Sequence, residues 1–486
     1  MIILPVHQIV EYEKAAIAAG IPSLRLIEKA AKSLYRELCG FSSIRIFCGK
    51  GNNGADGYAL AKLIHESGGR VEVIEVLPPA TIEAQALAKE CIDMGIDIVR
   101  MENISETPFE CYVDAILGIG ISGQLEGKLK AAVEYINQHS PYTVSADIPS
   151  GIDAQNGEIC AVAVRADLTV TFTALKLGML QGEAADYVGN IKCAEVGIPL
   201  TGEINSYRSA ITPSDAAHLL PLRSKYSHKG TFGTLLVVAG SKNMPGAALL
   251  AAKAAYKAGC GLVRVATCAD NIPIIAPCLP EAVFTPLPDE NMQNTLEIIL
   301  GAAECCDAVL IGPGLGRMEY VADFVRRCKK PIILDADAIN SLSENETAID
   351  GRNICLTPHP KEFARLIGSS VAQIEKSRHA YAEAFARKHA VTLLLKGANT
   401  IIASCDKPSR TLINPTSALA TAGSGDVCGG IIASFAAQRV PIFDASTLGC
   451  CVHALAGICA EKKMTAYSVT ASDIIDGIPE AFKEML

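Results

Sequence analysis

Two glycine-rich loops hold the residues best suited to chemistry. The first, Gly49-Lys50-Gly51-Asn52-Asn53-Gly54-Ala55-Asp56-Gly57, follows the apolar run Ile44–Cys48. The second, Thr421-Ala422-Gly423-Ser424-Gly425-Asp426, precedes the apolar run Val427–Ala437. Each sets bare backbone N–H groups at a predicted helix start, where the helix dipole favours an anion. Each also carries an aspartate, which adds proton transfer to binding. The pattern points to phosphorylated ligands handled at two places.

Further acids and hydroxyls accompany the first loop. Asp114 lies in Val113–Gly120, in or beside a strand, and Asp147 ends a strand in Ser145–Asp153. Open α/β sheets bind ligands at such carboxyl ends. Asn53, Asp114 and Ser150 all offer oxygen, the donor type that suits a hard cation. The loop also matches the dinucleotide fingerprint G-x-G-x-x-G, and Glu72 and Glu75 lie about 20 residues on, near where a ribose-binding acid would sit. A dehydrogenase is therefore one reading, although two asparagines inside the loop are unusual for hydride transfer.

The elements that must position these residues alternate in the βαβ manner of a parallel sheet covered on both faces. Strands are predicted at Ile44–Cys48, Val71–Leu77, Val113–Leu117, Thr143–Asp147 and Leu168–Phe172, with helices at Leu24–Leu38, Tyr58–Glu66 and Ala84–Met94. A second set has strands at Thr234–Ala239, Leu262–Ala266, Ala308–Ile311, Pro331–Asp335, Ile354–Thr357 and Val391–Lys396. Its helices are Pro245–Lys257, Glu362–Leu366, Gln373–Lys388 and Val427–Ala437. The boundary falls between Gly202 and Tyr226, where Thr212-Pro213-Ser214-Asp215 is a good helix start.

Composition narrows the function classes. Half of the 486 residues are hydrophobic, enough for a core in each half. No apolar run reaches the roughly 20 residues of a membrane span, and Met1–His7 lacks the pattern of a signal peptide. The 18 cysteines include no C-x-x-C pair, which reads as buried thiols in a reducing compartment. The net charge of −9, without a basic run, argues against a nucleic-acid surface. A cytoplasmic protein without a nucleic-acid or membrane partner is expected.

Several motifs in order make a family resemblance specific. The N-N-G-A-D-G loop, the segment Asp114-Ala115-Ile116-Leu117-Gly118-Ile119-Gly120 and the turn Asp147-Ile148-Pro149-Ser150-Gly151 resemble the NAD(P)H-hydrate epimerase domain over residues 1–208, with Ala55 where that family usually has glycine. By that resemblance the fold is Rossmann-like. Asn52, Asn53, Gly54, Ala55 and Asp56, with Gly118, Ile119, Gly120, Ile121, Ser122, Gly123 and Gln124, bind the hydrated nucleotide. Asn53, Asp114 and Ser150 hold a potassium ion. Asp147 touches the nicotinamide end and serves as the acid–base group.

The second half, residues 211–486, resembles the ADP-dependent NAD(P)H-hydrate dehydratases, which have a ribokinase-like α/β fold. The motifs are Ser227-His228-Lys229-Gly230, Gly240-Ser241-Lys242-Asn243, Gly312-Pro313-Gly314-Leu315-Gly316, Pro358-His359-Pro360 and Lys396-Gly397-Ala398-Asn399-Thr400, ahead of the loop that begins at Asn414-Pro415 and ends in Gly423-Ser424-Gly425-Asp426. By resemblance, Lys396, Gly397, Ala398, Asn399, Thr400 and Gly425 hold the adenine nucleotide with Mg2+. Ala247 or Ala248, Gly316, His359 and Asp426 face the hydrated cofactor, and Asp426 is the base. The dipole of its helix is expected to keep Asp426 ionised. Asp335 and Asp337 follow another strand and suit either metal-bound phosphate or a cap. The resemblance implies a bifunctional enzyme acting on hydrated NADH or NADPH, and a homo-oligomer is expected from its small-residue-rich helices. A vitamin or sugar kinase fused to a nucleotide-binding regulatory domain is the alternative.

Overall fold

The computed structural model describes residues 1–121, 123–200, 207–288, 292–343, 348–349, 351, 353–413 and 416–486. The chain forms two compact units, residues 1–208 and 209–486. Ser122, Asn414 and Pro415 lie outside the described residues.

The first unit runs β1 (Ile3–Leu4), α1 (Val6–Ala18), α2 (Ser23–Leu38), β2 (Ser43–Cys48), α3 (Asn52–Glu66), β3 (Arg70–Glu75), α4 (Ile82–Asp93), β4 (Asp97–Arg100), β5 (Cys111–Ala115), α5 (Gly127–His139), β6 (Thr143–Ala146), β7 (Leu168–Phe172), β8 (Leu175–Lys176) and β9 (Asn190–Ala194). Seven strands form a parallel sheet in the order β4-β3-β2-β5-β6-β7-β9, and β1 pairs β8 apart from it. Residues 44–48 of β2 are buried throughout, as a strand covered on both faces requires. On α2, Ile27, Ala31, Leu34 and Leu38 bury one stripe at helical spacing. Strand order reverses between β2 and β5, so the loops leaving these strands flank the crevice of a switch point.

The strands absent from the sequence reading, β4 and β9, are the two edges of this sheet. Edge strands carry charge and polarity that discourage further pairing, so they show no continuous apolar run. Asp97, Arg100 and Asn190 are examples, all exposed.

The second unit runs β10 (Ser209–Ile211), β11 (Thr234–Val238), α6 (Pro245–Lys257), β12 (Leu262–Cys268), α7 (Ile272–Ile275), β13 (Val283–Leu287), α8 (Met292–Glu304), β14 (Ala308–Ile311), α9 (Tyr320–Arg327), β15 (Ile332–Leu334), α10 (Asp337–Leu342), β16 (Ile354–Leu356), α11 (Pro360–Ile367), α12 (Val371–Lys376), α13 (Arg378–His389), β17 (Thr392–Leu395), β18 (Thr400–Ala403), β19 (Arg410–Leu412), α14 (Ser424–Ala437), α15 (Ile442–Lys463) and α16 (Ala471–Met485). Its sheet has the order β10-β19-β18-β17-β16-β15-β14-β11-β12-β13. The strands from β17 through β13 are parallel, and β18 is antiparallel to both β17 and β19. The reversal falls between β11 and β14.

Two expectations change here. Gln373–Lys388 is not one helix: the backbone leaves the helical region at Ser377, φ −149° and ψ 44°, dividing α12 from α13. Contrary to the reading that no run is long enough to span a membrane, α15 is long and apolar enough by length and composition. Its residues from Ala445 to Gly457 are buried in this unit's core, and a helix apolar all round is what such a position demands.

Candidate functional site

In the first unit the crevice between β2 and β5 collects the predicted groups. A side chain at Gly54 would collide with the carbonyl of Gly49, so the chain can turn into α3 only with glycine there. The helix starts at Asn52 with no side-chain cap, which leaves its first N–H groups for an anion. Ala55 sits one step inside, with its N–H on Gly51 O (3.1 Å) and its methyl buried.

Asp114 is fully buried in β5. Its Oδ1 accepts from Ser150 Oγ (2.6 Å) and Ile116 N (3.2 Å), and its Oδ2 from Ser150 N (2.7 Å) and Ser145 Oγ (3.0 Å). Burial pushes this carboxyl up, and the four donors oppose the shift. Asn53 donates to Leu117 O (2.9 Å), and Leu117 N donates to Ser150 Oγ (2.9 Å). Among the described residues, Asn53 Oδ1 is buried without a hydrogen-bond partner. A buried, unsatisfied acceptor beside Leu117 O and Ser150 fits an oxygen-coordinated cation.

Asp147 follows β6 at φ 70°, a rare conformation for a non-glycine residue. Its Oδ1 accepts from Phe172 N (3.1 Å) and pairs with Lys176 Nζ. Gly118 lies between Asp147 and Asn53: a Cβ there would be 3.9 Å from Asp147 Oδ2 and 3.7 Å from Asn53 Cβ. Beyond it, Gly120, Gly123 and Gln124 are exposed loop residues, and Ile119 and Ile121 are half-buried. Burial, then the charges of Asp147 and Glu13, push the Asp56 carboxyl well above the usual range. Glu72 is not available to a ribose, because it pairs with buried Arg45 at 2.6 Å.

In the second unit the loops after β11 and β14 are locked together. Gly240 N donates to Pro313 O (2.9 Å), and Ser241 N to Gly314 O (2.6 Å). Gly314 abuts Ala247 at the start of α6, whereas Ala248 is buried against Gly240. Gly316 N donates to Asp337 Oδ2 (2.9 Å). Asp335 is buried and accepts from Lys396 Nζ (2.8 Å) and Thr357 Oγ1 (2.7 Å). Burial opposes the charge of Lys396, but Asp335 and Glu362 outweigh it and hold the ammonium above the ordinary lysine range.

His359 caps α11: its Nδ1 accepts from Lys361 N (3.1 Å) and Glu362 N (3.2 Å). That fixes the neutral tautomer with its proton on Nε2, and burial lowers its pKa further. On α14 only the first turn, Gly425 and Asp426, escapes full burial. A Cβ on Gly425 would be 3.4 Å from Lys396 Nζ. Asp426 does not follow the expectation set by the helix dipole. Burial and the charges of Asp335 and Asp337 push its carboxyl to about 7, with Lys396 opposing. A dipole contribution of about 0.3–1 kcal/mol is too small to offset such desolvation.

Comparison with known proteins now bears on this geometry. Residues 235–480 match the NAD(P)H-hydrate dehydratase family model, and residues 23–178 match the family described as YjeF-related protein N-terminus. A bifunctional NAD(P)H-hydrate repair enzyme from Moorella thermoacetica is 35% identical over 96% of this chain and 93% of its own. The chain belongs to the bifunctional NAD(P)H-hydrate repair enzyme family. A member from Escherichia coli is 33% identical over 95% of this chain and 90% of its own. A ribokinase-like superfamily protein from Enterococcus faecalis, with a TM-score of 0.51 and 23% identity over 59% of this chain and 99% of its own, shows that fold here. The fold class is thus as the motifs implied: a Rossmann-like parallel sheet followed by a ribokinase-like unit.

Two buried cations of this family member escaped the sequence reading. Lys176 lies in the two-residue strand β8, and Arg378 opens α13. Neither sits in a glycine-rich or acidic motif; only the oddity of a charge in an apolar stretch marks Lys176. Arg378 donates through one nitrogen to Leu395 O (3.2 Å), Lys396 O (3.0 Å) and Asn399 O (3.4 Å), and through the other to Glu375 (3.0 and 3.2 Å). Gly397 has no side chain because a Cβ would lie 2.5 Å from the guanidinium. The β17–β18 turn therefore takes its shape from one arginine. Arg378→Met, which removes these hydrogen bonds, is expected to lower the stability of the second unit by about 3 kcal/mol; denaturant unfolding of the full chain checks this.

Proposed function

We infer that this chain repairs hydrated NADH and NADPH in two steps, one in each unit. The first unit interconverts the R and S hydrates. The second converts the S hydrate to NAD(P)H with ADP, releasing AMP and phosphate. The observation that carries the reading is the presence, in one family member, of both a phosphate cradle beside Asp147 and an anion loop that delivers Asp426 next to Lys396.

In the first unit the ligand rests on Asn52–Asp56 and the loop Gly118–Gln124. Asn53, Asp114 and Ser150, with Leu117 O beside them, would hold K+, which supplies positive charge near the bound nucleotide. The hydrated carbon bears a hydroxyl and the ring nitrogen. Asp147 takes the hydroxyl proton as the carbon–nitrogen bond opens to a carbonyl and its electron pair withdraws onto the ring nitrogen, where the conjugated carboxamide spreads the charge. It returns the proton when the bond re-forms on the other face. Protons and electrons balance, and no oxidant is involved. A positioned carboxylate typically contributes about 10²–10⁴-fold to such a transfer.

In the second unit Lys396–Thr400 and Gly425 receive the nucleotide, which arrives with Mg2+ on its phosphates. The hydrate lies against Ala247, Gly316 and His359. Asp426 accepts the proton of the ring hydroxyl as that oxygen takes the terminal phosphoryl group of ADP. Lys396 and the N–H groups of the loop stabilise the charge in transfer. Phosphate then leaves more readily than hydroxide, and loss of a proton from the adjacent ring carbon restores the double bond. The 18 free thiols favour a reducing, cytoplasmic setting, and a homo-oligomer belongs to the same proposal.

The test is incubation of purified protein with mixed R and S NADPH hydrates, Mg2+, K+ and ADP, followed at the reduced-nicotinamide band. Conversion of both epimers is expected. Recovery of the S fraction alone, beyond its spontaneous epimerisation, refutes the role of the first unit, and no recovery with ADP or ATP refutes the whole reading. Asp426→Asn is expected to abolish dehydration and spare epimerisation, with the reverse for Asp147→Asn; loss of both activities from either folded variant contradicts the two-site scheme.

A pH profile follows from Asp426. A base whose pKa is about 7 is ionised above that value and protonated below it. Dehydration of the S hydrate under saturating ADP is expected to fall about tenfold for each unit below pH 7. A rate flat down to pH 5 excludes Asp426 as the base.

A further inference from the structure

Lys176 is the most buried cation of the first unit apart from Arg45, and the site proposed above gives it no role. Its side chain is 1% exposed, against 13% for Asp147. Besides Asp147 Oδ1, its Nζ donates to Thr171 Oγ1 (2.8 Å) and Phe172 O (3.1 Å). These three partners use all the protons of an ammonium group. The lysine is anchored from both sides, since β8 pairs with β1 and the stretch from Thr171 leads directly into it.

The consequence for Asp147 is asymmetric. Oδ1 takes both Lys176 Nζ and Phe172 N, while among the described residues Oδ2 accepts no hydrogen bond and lies on the side of Gly118 and Asn53. Glu13 from α1, Asp56 from α3 and Cys193 from β9 all interact electrostatically with Asp147 and Lys176, and the N-terminal ammonium and Glu195 also act on Cys193. Without Lys176, a carboxylate at this position would face the charges of Glu13 and Asp56 without its ion pair.

We propose that Lys176 is a positioning residue of the epimerase centre: held by Thr171 and Phe172, it fixes Oδ1 of Asp147 and leaves Oδ2 as the oxygen that exchanges the proton with the hydrated ring. The inference rests on the reading of Asp147 as the acid–base group. A lysine that merely fills the core would leave the pH dependence of epimerisation unchanged when replaced by an apolar side chain of similar length. A positioning cation would not, because loss of an adjacent opposite charge disfavours the carboxylate.

The experiment uses the full chain without ADP, so that only epimerisation runs. The R hydrate of NADPH is supplied, and the two epimers are separated chromatographically across pH 5–9. Lys176→Met is expected to lower kcat near neutrality by about tenfold or more and to move the acidic limb of the profile up by about one unit, with KM changed less than about threefold. Lys176→Arg is expected to restore the limb in part. Thr171→Val, which removes one holder of Nζ, should shift the limb in the same direction by less. Dehydration of the S hydrate with ADP and Mg2+ should stay at the wild-type rate in all three.

A Lys176→Met profile that overlays the wild type overturns the proposal. If that variant does not fold, judged by near-ultraviolet circular dichroism, Thr171→Val decides, and an unmoved limb there overturns it equally. Asp147→Asn separates the two ideas. Retained epimerisation in that variant refutes the acid–base reading itself. An inactive Asp147→Asn beside an unaffected Lys176→Met refutes the positioning role alone.

Discussion

A parallel sheet covered on both faces leaves polar chemistry few places to emerge, and both units of this chain are organised by that constraint. The strand interiors are apolar and inaccessible, so side chains that meet a ligand leave from strand carboxyl ends. Where strand order reverses, between β2 and β5 in one unit and β11 and β14 in the other, successive chain segments depart to opposite faces and open a crevice. Gly49–Gly57 and Leu117–Gly120 line the first crevice. Gly240–Gly246 and Gly312–Gly316 line the second, already joined by two backbone hydrogen bonds.

Each unit sets a lysine against a carboxylate, Lys176 fully buried and Lys396 partly so, and the two arrangements differ. Lys176 pairs with Asp147 itself, the carboxylate proposed to move the proton. Lys396 pairs with Asp335 instead and acts on Asp426 only from nearby, so that among the described residues Asp426 has no ion pair and its carboxyl lies near 7. Burying a charge is costly unless it is paired and hydrogen-bonded. Thr171 and Phe172 satisfy one ammonium, and Thr357 satisfies the carboxylate facing the other. The difference suits the proposed tasks. One group takes and returns a proton within a neutral cycle, and the other takes a proton from a hydroxyl that is acquiring a phosphoryl group.

Much of this was legible in the chain itself. Buried strands and amphipathic helices announce themselves by period, because a covered parallel strand must be apolar and a surface helix must bury one stripe. Both phosphate loops were visible from glycine spacing, and the motif order pointed to the family. The parts that stayed hidden are those whose residues follow no local rule. β4, β9, β10 and β13 lie at sheet edges, where solvent and pairing partners compete and the pattern blurs. α15 reads locally like a membrane span because a helix surrounded by protein needs the same apolar composition.

The sequence by itself determined two α/β units, their glycine-rich loops and the carboxylates that the loops carry, since these depend on period and short-range spacing. Only the tertiary structure decided what each charged group does there. Lys176 reaches Asp147 across 29 residues and Lys396 reaches Asp335 across 61, while Glu72 is taken from the ribose reading by Arg45 on the neighbouring strand. The pKa of Asp426 is likewise set by burial and by two acids in the stretch that follows β15 rather than by its own helix. Electrostatic energy in a low-dielectric interior depends on distance through space, and distance through space is what the order of residues along a chain does not record.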